Sequence, residues 1–509
     1  MGARLVLALV VLAGACTPAG AATYVDIGSR GGPCSDTRTA SEASSPVTPW
    51  CSLGRAASAA PDGSEVQVRQ GTYQRLVTSA THAARVTFRP RAGEAVRLQG
   101  MQLTRARHLA FEGFEITPEG VMLRGSSDIV LEGNNIHDIR RDTSRCPTAP
   151  NVGNGYAIWL VGSSGRGARN TIRGNRIAAV THDAIQTGSN DDLLIEDNEI
   201  TAVRSVGCGD HSDAVQIVEG RRIVVRRNHV HHNVHGFMVN GHGSTFRGDL
   251  RLENNLVHDI SGGIALNLYN VDGLALHSNT VWHTGTTAVR LRDTTENPTV
   301  MRATVRNNIF EEFDSQCDST GCVTAQERNL FGSSSDRRTS DLAATSPGFG
   351  VAYELAPGSA AINTGTTTDA PTIDRLGRTR DAQRDVGAHE ASSAAPPTES
   401  DGDGVADSSD ACPALPGPAP TGCPLPVASF TINPNPALSG QEVTFDGTAS
   451  VCHPGPCRYA WRETPSWPFG TGQAIERFTF RSVKDHPIQL TVTDGLGRSA
   501  SRSQVLTVR

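Results

Sequence analysis

Lysine is nearly missing from this sequence. Of its 46 basic residues only Lys484 is a lysine and the others are arginine, so chemistry that needs a lysine base or a Schiff base has a single residue to draw on. Aromatic residues are scarce at 5%, while glycine is plentiful at 52 residues; a helical bundle would need more apolar bulk and less glycine. Charged residues, at 19%, are too few for a wholly disordered chain. No basic tract stands out and acidic residues outnumber basic ones, 52 to 46, which argues against nucleic acid as a partner. No segment offers the roughly 20 apolar residues needed for a transmembrane helix. The length of 509 residues leaves room for about two to four domains.

What is present begins with an export signal. Arg4, the apolar run Leu5 to Leu12 and the small residues Ala19-Gly20-Ala21-Ala22 are laid out as a signal peptide over residues 1–22, so a secreted or cell-surface protein is expected. Leu12-Ala13-Gly14-Ala15-Cys16 resembles a bacterial lipobox, in which Cys16 would carry a lipid anchor. The other ten cysteines fall into local pairs: Cys34 with Cys51, Cys317 with Cys322, Cys412 with Cys423 and Cys452 with Cys457, leaving Cys146 to Cys208. An even set in an exported chain predicts disulfides rather than thiol chemistry or zinc.

A short pattern then recurs, an apolar residue followed by Asn and a second apolar residue. It places asparagines at 134, 175, 198, 228, 255, 279 and 307, with Phe114 in an Asn-free copy upstream. Each copy is followed by a second short strand, such as Ala157 to Leu160, Ala184 to Thr187 and Ala214 to Ile217. A unit of roughly 20–30 residues with very short strands and no helical period predicts one coil of a parallel β-solenoid. The repeated Asn would stack in one column, its amides hydrogen-bonding from coil to coil.

On this repeat, residues 23–391 resemble the right-handed parallel β-helix proteins, which include polysaccharide lyases and polygalacturonases. The expected fold class is all-β, a right-handed parallel β-helix followed by a small immunoglobulin-like β-sandwich. Residues 357–390 are similar to the closing segment of exported bacterial members. Residues 392–424 read as a linker carrying Glu399, Asp401, Asp403, Asp407 and Asp410 ahead of Cys412-Pro413, which resembles a thrombospondin type-3 repeat. The resemblance implies Ca²⁺ on those five carboxylates, with oxygen ligands at alternate positions suiting a hard cation. Residues 425–509, with Asp446-Gly447-Thr448-Ala449-Ser450 and Tyr459-Ala460-Trp461, look like a PKD-type module.

Candidate chemistry lies where two coils carry nearly one phrase: His182-Asp183-Ala184-Ile185-Gln186 and Ser212-Asp213-Ala214-Val215-Gln216, the latter preceded by His211. Stacking would align Asp183 with Asp213 and Gln186 with Gln216 about 4.8 Å apart. Two carboxylates that close share a proton or a cation such as Ca²⁺. With no lysine in the solenoid, the base would be His182, His211, His235 or Arg290, and Gln186, Gln216, Asp210 and Arg292 would contact substrate. The tract His229 to His235 resembles a metal tract, but solenoid register points its members in different directions. The resemblance implies cleavage of an acidic, uronate-containing polysaccharide by β-elimination. A polygalacturonase-like hydrolase, from the series Asp183, Ser212-Asp213, His235-Gly236 and Arg290-Leu291-Arg292, is one alternative. A non-catalytic glycan-binding surface or adhesion protein is the other.

Overall fold

A computed structural model describes residues 20–140, 143, 155–206, 212–239, 246–284, 287–293, 301–317, 322–391, 401, 405, 410–418, 421–464 and 467–509. Two compact units divide the chain at residues 391 and 392. No helix among the described residues is long and apolar enough to cross a membrane.

The first unit is a parallel β-helix with three walls. The first wall is a 12-stranded sheet that includes Val130–Glu132, Thr171–Arg173, Leu194–Glu196 and Ile223–Arg226. The second wall follows after a sharp corner, with Asn135–Ile139, Arg176–Val180, Glu199–Val203 and His229–Asn233. The third holds Ile158–Val161, Ile185–Thr187, Asp213–Ile217, His235–Val239, Leu266–Tyr269 and Val289–Asp293. Inward side chains stack by type. Leu131, Ile172, Ile195, Val225, Leu252, Leu276 and Val305 form one fully buried column on the first wall, because alternate residues of a strand face one side. A short helix, Leu53–Ala59, lies near the N-terminal end and is capped by Ser52, whose side chain accepts the Arg55 N–H.

The asparagine column forms the corner between the first two walls. Asn198 Oδ1 accepts the Asn175 backbone N–H at 3.0 Å and the Asn175 Nδ2–H at 3.0 Å, while its own Nδ2 donates to Ile172 O at 2.9 Å. The same bonds recur from Asn134 to Asn329, every member at most 1% exposed. Phe114 marks the start, its N–H donating to Asn134 Oδ1 at 2.9 Å, and Asp341 ends the column by accepting from Asn329. Each ladder residue follows one in left-handed backbone, among them Gly174 (φ 61), Asp197 (φ 57) and Arg227 (φ 56). A non-glycine residue in that conformation costs about 1–2 kcal/mol, a cost the buried amide bonds offset.

One sequence expectation is corrected here. The seventh ladder residue is Asn308, bonded to Asn279 and Asn329, not Asn307. Asn307 is the left-handed residue before it (φ 56), and its side chain instead holds Thr366. The three-residue step from Ile172 to Asn175 and from Val225 to Asn228 leads from Val305 to Asn308.

Arginine stacks opposite carboxylate at other corners. Arg169 grips Asp128 with two bonds of 2.7 Å, and Arg227 grips Asp197 at 2.8 and 2.7 Å, each pair linking neighbouring coils. A planar guanidinium meets both oxygens at once, which a lysine cannot do. After the last coil, residues 335–391 run back against the helix. Arg380, buried and paired with Glu390 at 2.7 Å, donates to Asn254 Oδ1 at 2.8 Å, and Ala388 N–H donates to Thr280 Oγ1.

The second unit contains two antiparallel sheets. One holds Thr431–Asn433, Glu442–Asp446 and Ile475–Thr479; the other holds Trp467–Phe469, Arg458–Glu463, Asp485–Thr493 and Ser499–Thr507. Its own core gathers Val443, Phe445, Trp461, Leu490 and Val492. Cys34–Cys51, Cys412–Cys423 and Cys452–Cys457 are disulfide-bonded. Cys322 is also disulfide-bonded; the side chain of Cys317 and the pair Cys146 and Cys208 lie outside the described residues.

Candidate functional site

The leading edge of the third wall carries the candidate chemistry. Its strands alternate, so Ile158, Ile185 and Val215 fill the core while Trp159, Gln186 and Gln216 point outward in register. Two positions before that outward column, the coils approach closely. Gly120, Ala157, Ala184, Ala214 and Gly236 occupy this row, and a Cβ on Gly236 would meet Ala265 O at 2.2 Å. One further position back is the corner itself, where Tyr156, Asp183, Asp213 and His235 follow one another on consecutive coils.

Neither aspartate exposes any surface. Asp183 Oδ1 accepts the Asp213 N–H at 2.9 Å, and Asp183 Oδ2 accepts Gln186 Nε2–H at 3.0 Å. Gln186 Nε2 also donates to Gln216 Oε1, so the two glutamines expected to meet substrate are tied to each other and to Asp183. His182 Nδ1 accepts the Asp183 N–H at 2.8 Å, which places the proton of the neutral ring on Nε2. Asp213 Oδ1 lies 3.7 Å from His235 Nδ1, and the His235 side chain is 23% exposed. At that distance the carboxylate faces Nδ1 as a neighbouring charge, beyond hydrogen-bond reach. Gly263 makes room for the ring: a Cβ there would stand 3.3 Å from His235 Nε2.

The structure therefore brings Asp183, Asp213, His182, His235, Gln186 and Gln216 together. Arg290 stands apart. Its strand is three steps from that of Gln216, by way of Met238 and Asn267, or about 14 Å at the spacing of a sheet. Its Nε is paired with Asp314 at 3.2 Å, so it is not placed to take a proton beside Asp213. Arg292 lies over the Tyr269 ring at 5.9 Å on that same distant stretch. His211 and Asp210 lie outside the described residues. So do Glu399, Asp403 and Asp407 of the acidic repeat, whereas Asp401 and Asp410 are described. Asp410 Oδ1 accepts the Cys412 N–H at 2.6 Å, and its buried Oδ2 has no hydrogen-bond partner among the described residues.

The histidine tract divides as register requires: His229 and His231 belong to the second wall and His235 to the third. On the second wall His231 stacks on His258 at 5.3 Å and 8°, and His229 Nε2 meets His258 Nε2 at 2.8 Å. Burial pushes His229 down to about 3.

Sequence reading missed an aromatic row. Tyr156 stacks on Trp159 with ring centroids 4.7 Å apart and lies 4.0 Å from the His182 ring. Beside it is a pocket of about 210 Å³ lined by Trp159, Tyr156, Met122, Arg75, Glu119 and Arg140, among others. Arg140 also lines a second hollow with Thr181 and Arg204. Neither Arg140 nor Arg204 has a carboxylate partner among the described residues. The only signal in the sequence was a Tyr-x-x-Trp step at the edge of a coil.

Residues 99–270 match a family model described as the right handed beta helix region. No curated protein matches the sequence. Among solved structures, the chain is similar to pectate lyase Pel9A at 13% identity and a TM-score of 0.40, over 72% of this chain and 96% of that one. It is similar to a GH136 lacto-N-biosidase from Eubacterium ramulus at 11% identity and a TM-score of 0.37, over 62% and 67%. A carbohydrate-binding module of the β-sandwich superfamily is similar at 22% identity and a TM-score of 0.16; the match covers 16% of this chain and 34% of that one. These are likenesses of chain path and say nothing of the chemistry at this corner.

Proposed function

We propose that this chain is an exported, carbohydrate-active β-helix protein that cleaves an acidic polysaccharide by β-elimination at the corner of the third wall. The observation that carries the reading is the buried Asp213 carboxylate set behind a partly exposed imidazole, 3.7 Å from His235 Nδ1. A carboxylate there puts a negative charge behind the ring that would take the proton at Nε2. His235 Nε2 removes the hydrogen on the carbon next to the uronate carboxylate. The electron pair of that C–H bond becomes the new C=C bond. The bond to the glycosidic oxygen on the adjacent carbon breaks, and the oxygen leaves with its pair and takes a proton from water. Arg204 brings positive charge to the hollow that Thr181 lines, where the carboxylate of the reacting sugar would need it.

In this reading Asp183 and Asp213 act as positioning residues, because neither is exposed to a sugar. Their burial also favours a second reading, a glycan-binding protein without turnover. Calcium in the acidic repeat belongs to the same proposal, supported by Asp410 Oδ2, which is buried and has no hydrogen-bond partner among the described residues.

The test is to incubate the full chain with polygalacturonate, alginate and other uronate polymers, with and without EDTA, and to follow both near-ultraviolet absorption and reducing ends. Elimination produces an unsaturated sugar that absorbs. Reducing ends without absorption would replace it by hydrolysis, and retention of polymer without either product would leave the binding reading.

A further inference from the structure

Trp159, Tyr156 and Arg140 lie one coil before Asp183 and were not part of the expected chemistry. The pocket they share, about 210 Å³, is smaller than the roughly 300–1,000 Å³ typical for drug-sized ligands, so it suits a single small ring. Its chemistry is divided. Trp159 and Met122, in register on neighbouring coils, supply a flat, polarisable apolar wall, and Tyr156 extends it. The same pocket holds both signs of hydrogen-bonding group: Glu119 accepts, and Arg75 and Arg140 donate. Arg75 is already engaged, 3.2 Å from Glu119 and 3.3 Å from Gln102 Oε1. Arg140 has no such carboxylate partner among the described residues.

A purely aromatic ligand would not need three charged groups, and a phosphate would not need the apolar wall. A pyranose uses both, since its C–H face packs on an aromatic ring while its hydroxyls both donate and accept. We propose that this pocket is an anchoring subsite for one uronic-acid ring of the polymer, its C–H face on Trp159 and its carboxylate on Arg140. The proposal rests on the reaction assigned above and adds direction to it. Tyr156 lies between Trp159 and His182 at ring distances of 4.7 and 4.0 Å. The polymer therefore runs along the helix axis, and the bond that breaks lies toward the later coils, past Tyr156, from the anchored ring.

The test uses the full chain carrying His235→Ala, which prevents turnover, and titrates trigalacturonate, trimannuronate and the methyl ester of trigalacturonate while following tryptophan fluorescence and heat. At least one charged trisaccharide binds. Adding Trp159→Ala weakens it about tenfold or more, Trp159→Phe largely preserves it, and Arg140→Ala removes the preference for acid over ester. Circular dichroism checks that each variant is folded. Failure of both charged trisaccharides to bind, or equal affinity in the Trp159→Ala protein, overturns the subsite. The reaction is read separately with His235 intact: ultraviolet product formed at an unchanged KM by Trp159→Ala overturns the subsite and leaves the elimination standing. Tight binding with no product from the unaltered chain does the reverse.

Discussion

Two corners of the same coil follow opposite rules. Between the first and second walls, asparagine recurs from Asn134 to Asn329 with the same bonds at each step. At the leading edge of the third wall the corresponding column keeps no single residue, running from Tyr156 to Asp183, Asp213 and His235. A column that repeats answers a demand made by every coil, here the pairing of backbone groups at a tight turn. A column that changes answers no common demand, so its residues are left to do local chemistry. The comparison separates scaffold from site without reference to any other protein.

The largest effect that would sharpen it is expected at His235. His235→Ala lowers the cleavage rate by roughly 10²–10⁴-fold, the usual contribution of a general base, with the melting temperature close to that of the parent. Initial rates and thermal denaturation on one preparation check both halves. Asn198→Ala should do the converse. It strips an acceptor from Asn175 N and Nδ2 and a donor from Ile172 O, and buried groups left unpaired cost about 1–3 kcal/mol each. A loss of about 3 kcal/mol in denaturant unfolding is expected, with cleavage retained where the variant is folded.

Acid probes the second wall and the segment packed on it. Burial lowers His229 to about 3 and His389 to about 4, whereas the unfolded chain protonates such groups near 6.5. The unfolded state binds more protons between those values, so stability is full above about 6.5 and is lost as the pH falls toward 4. Asp385 and Glu390, raised by burial, oppose part of this loss because the folded state takes up their protons first. Melting temperatures measured from neutral to mildly acidic pH should fall, and less steeply in His389→Gln. Smallest of all is the effect at the far end of the third wall. Arg290→Ala breaks a partly buried pair with Asp314 and should leave cleavage near the parent value.

The coil itself was readable because its signal is local. An apolar residue three positions before each ladder Asn from Asn134 to Asn308 recurs in one chain segment after another, and the parallel β-helix follows from that. At the seventh coil two asparagines are adjacent, and composition alone does not tell the left-handed residue from the buried one. The corner chemistry was half readable. Register put Asp183 beside Asp213, but whether a corner carboxylate faces in or out depends on bonds such as Asp213 N–H to Asp183 Oδ1, made across thirty residues of sequence. The aromatic row was hidden for the same reason, since Tyr156 and His182 become neighbours only when the coils stack. The arginines, without evident purpose in the sequence, are explained by corner pairs such as Arg169 with Asp128.

The most direct test of the contrast between the two corners is Asp213→Asn, measured for thermal stability and for cleavage side by side. The account predicts a melting temperature close to the parent and loss of most of the ultraviolet-absorbing product, because the amide keeps the shape but not the charge behind His235. A variant that melts early yet cleaves normally once folded would contradict it, and would make Asp213 another residue of the scaffold.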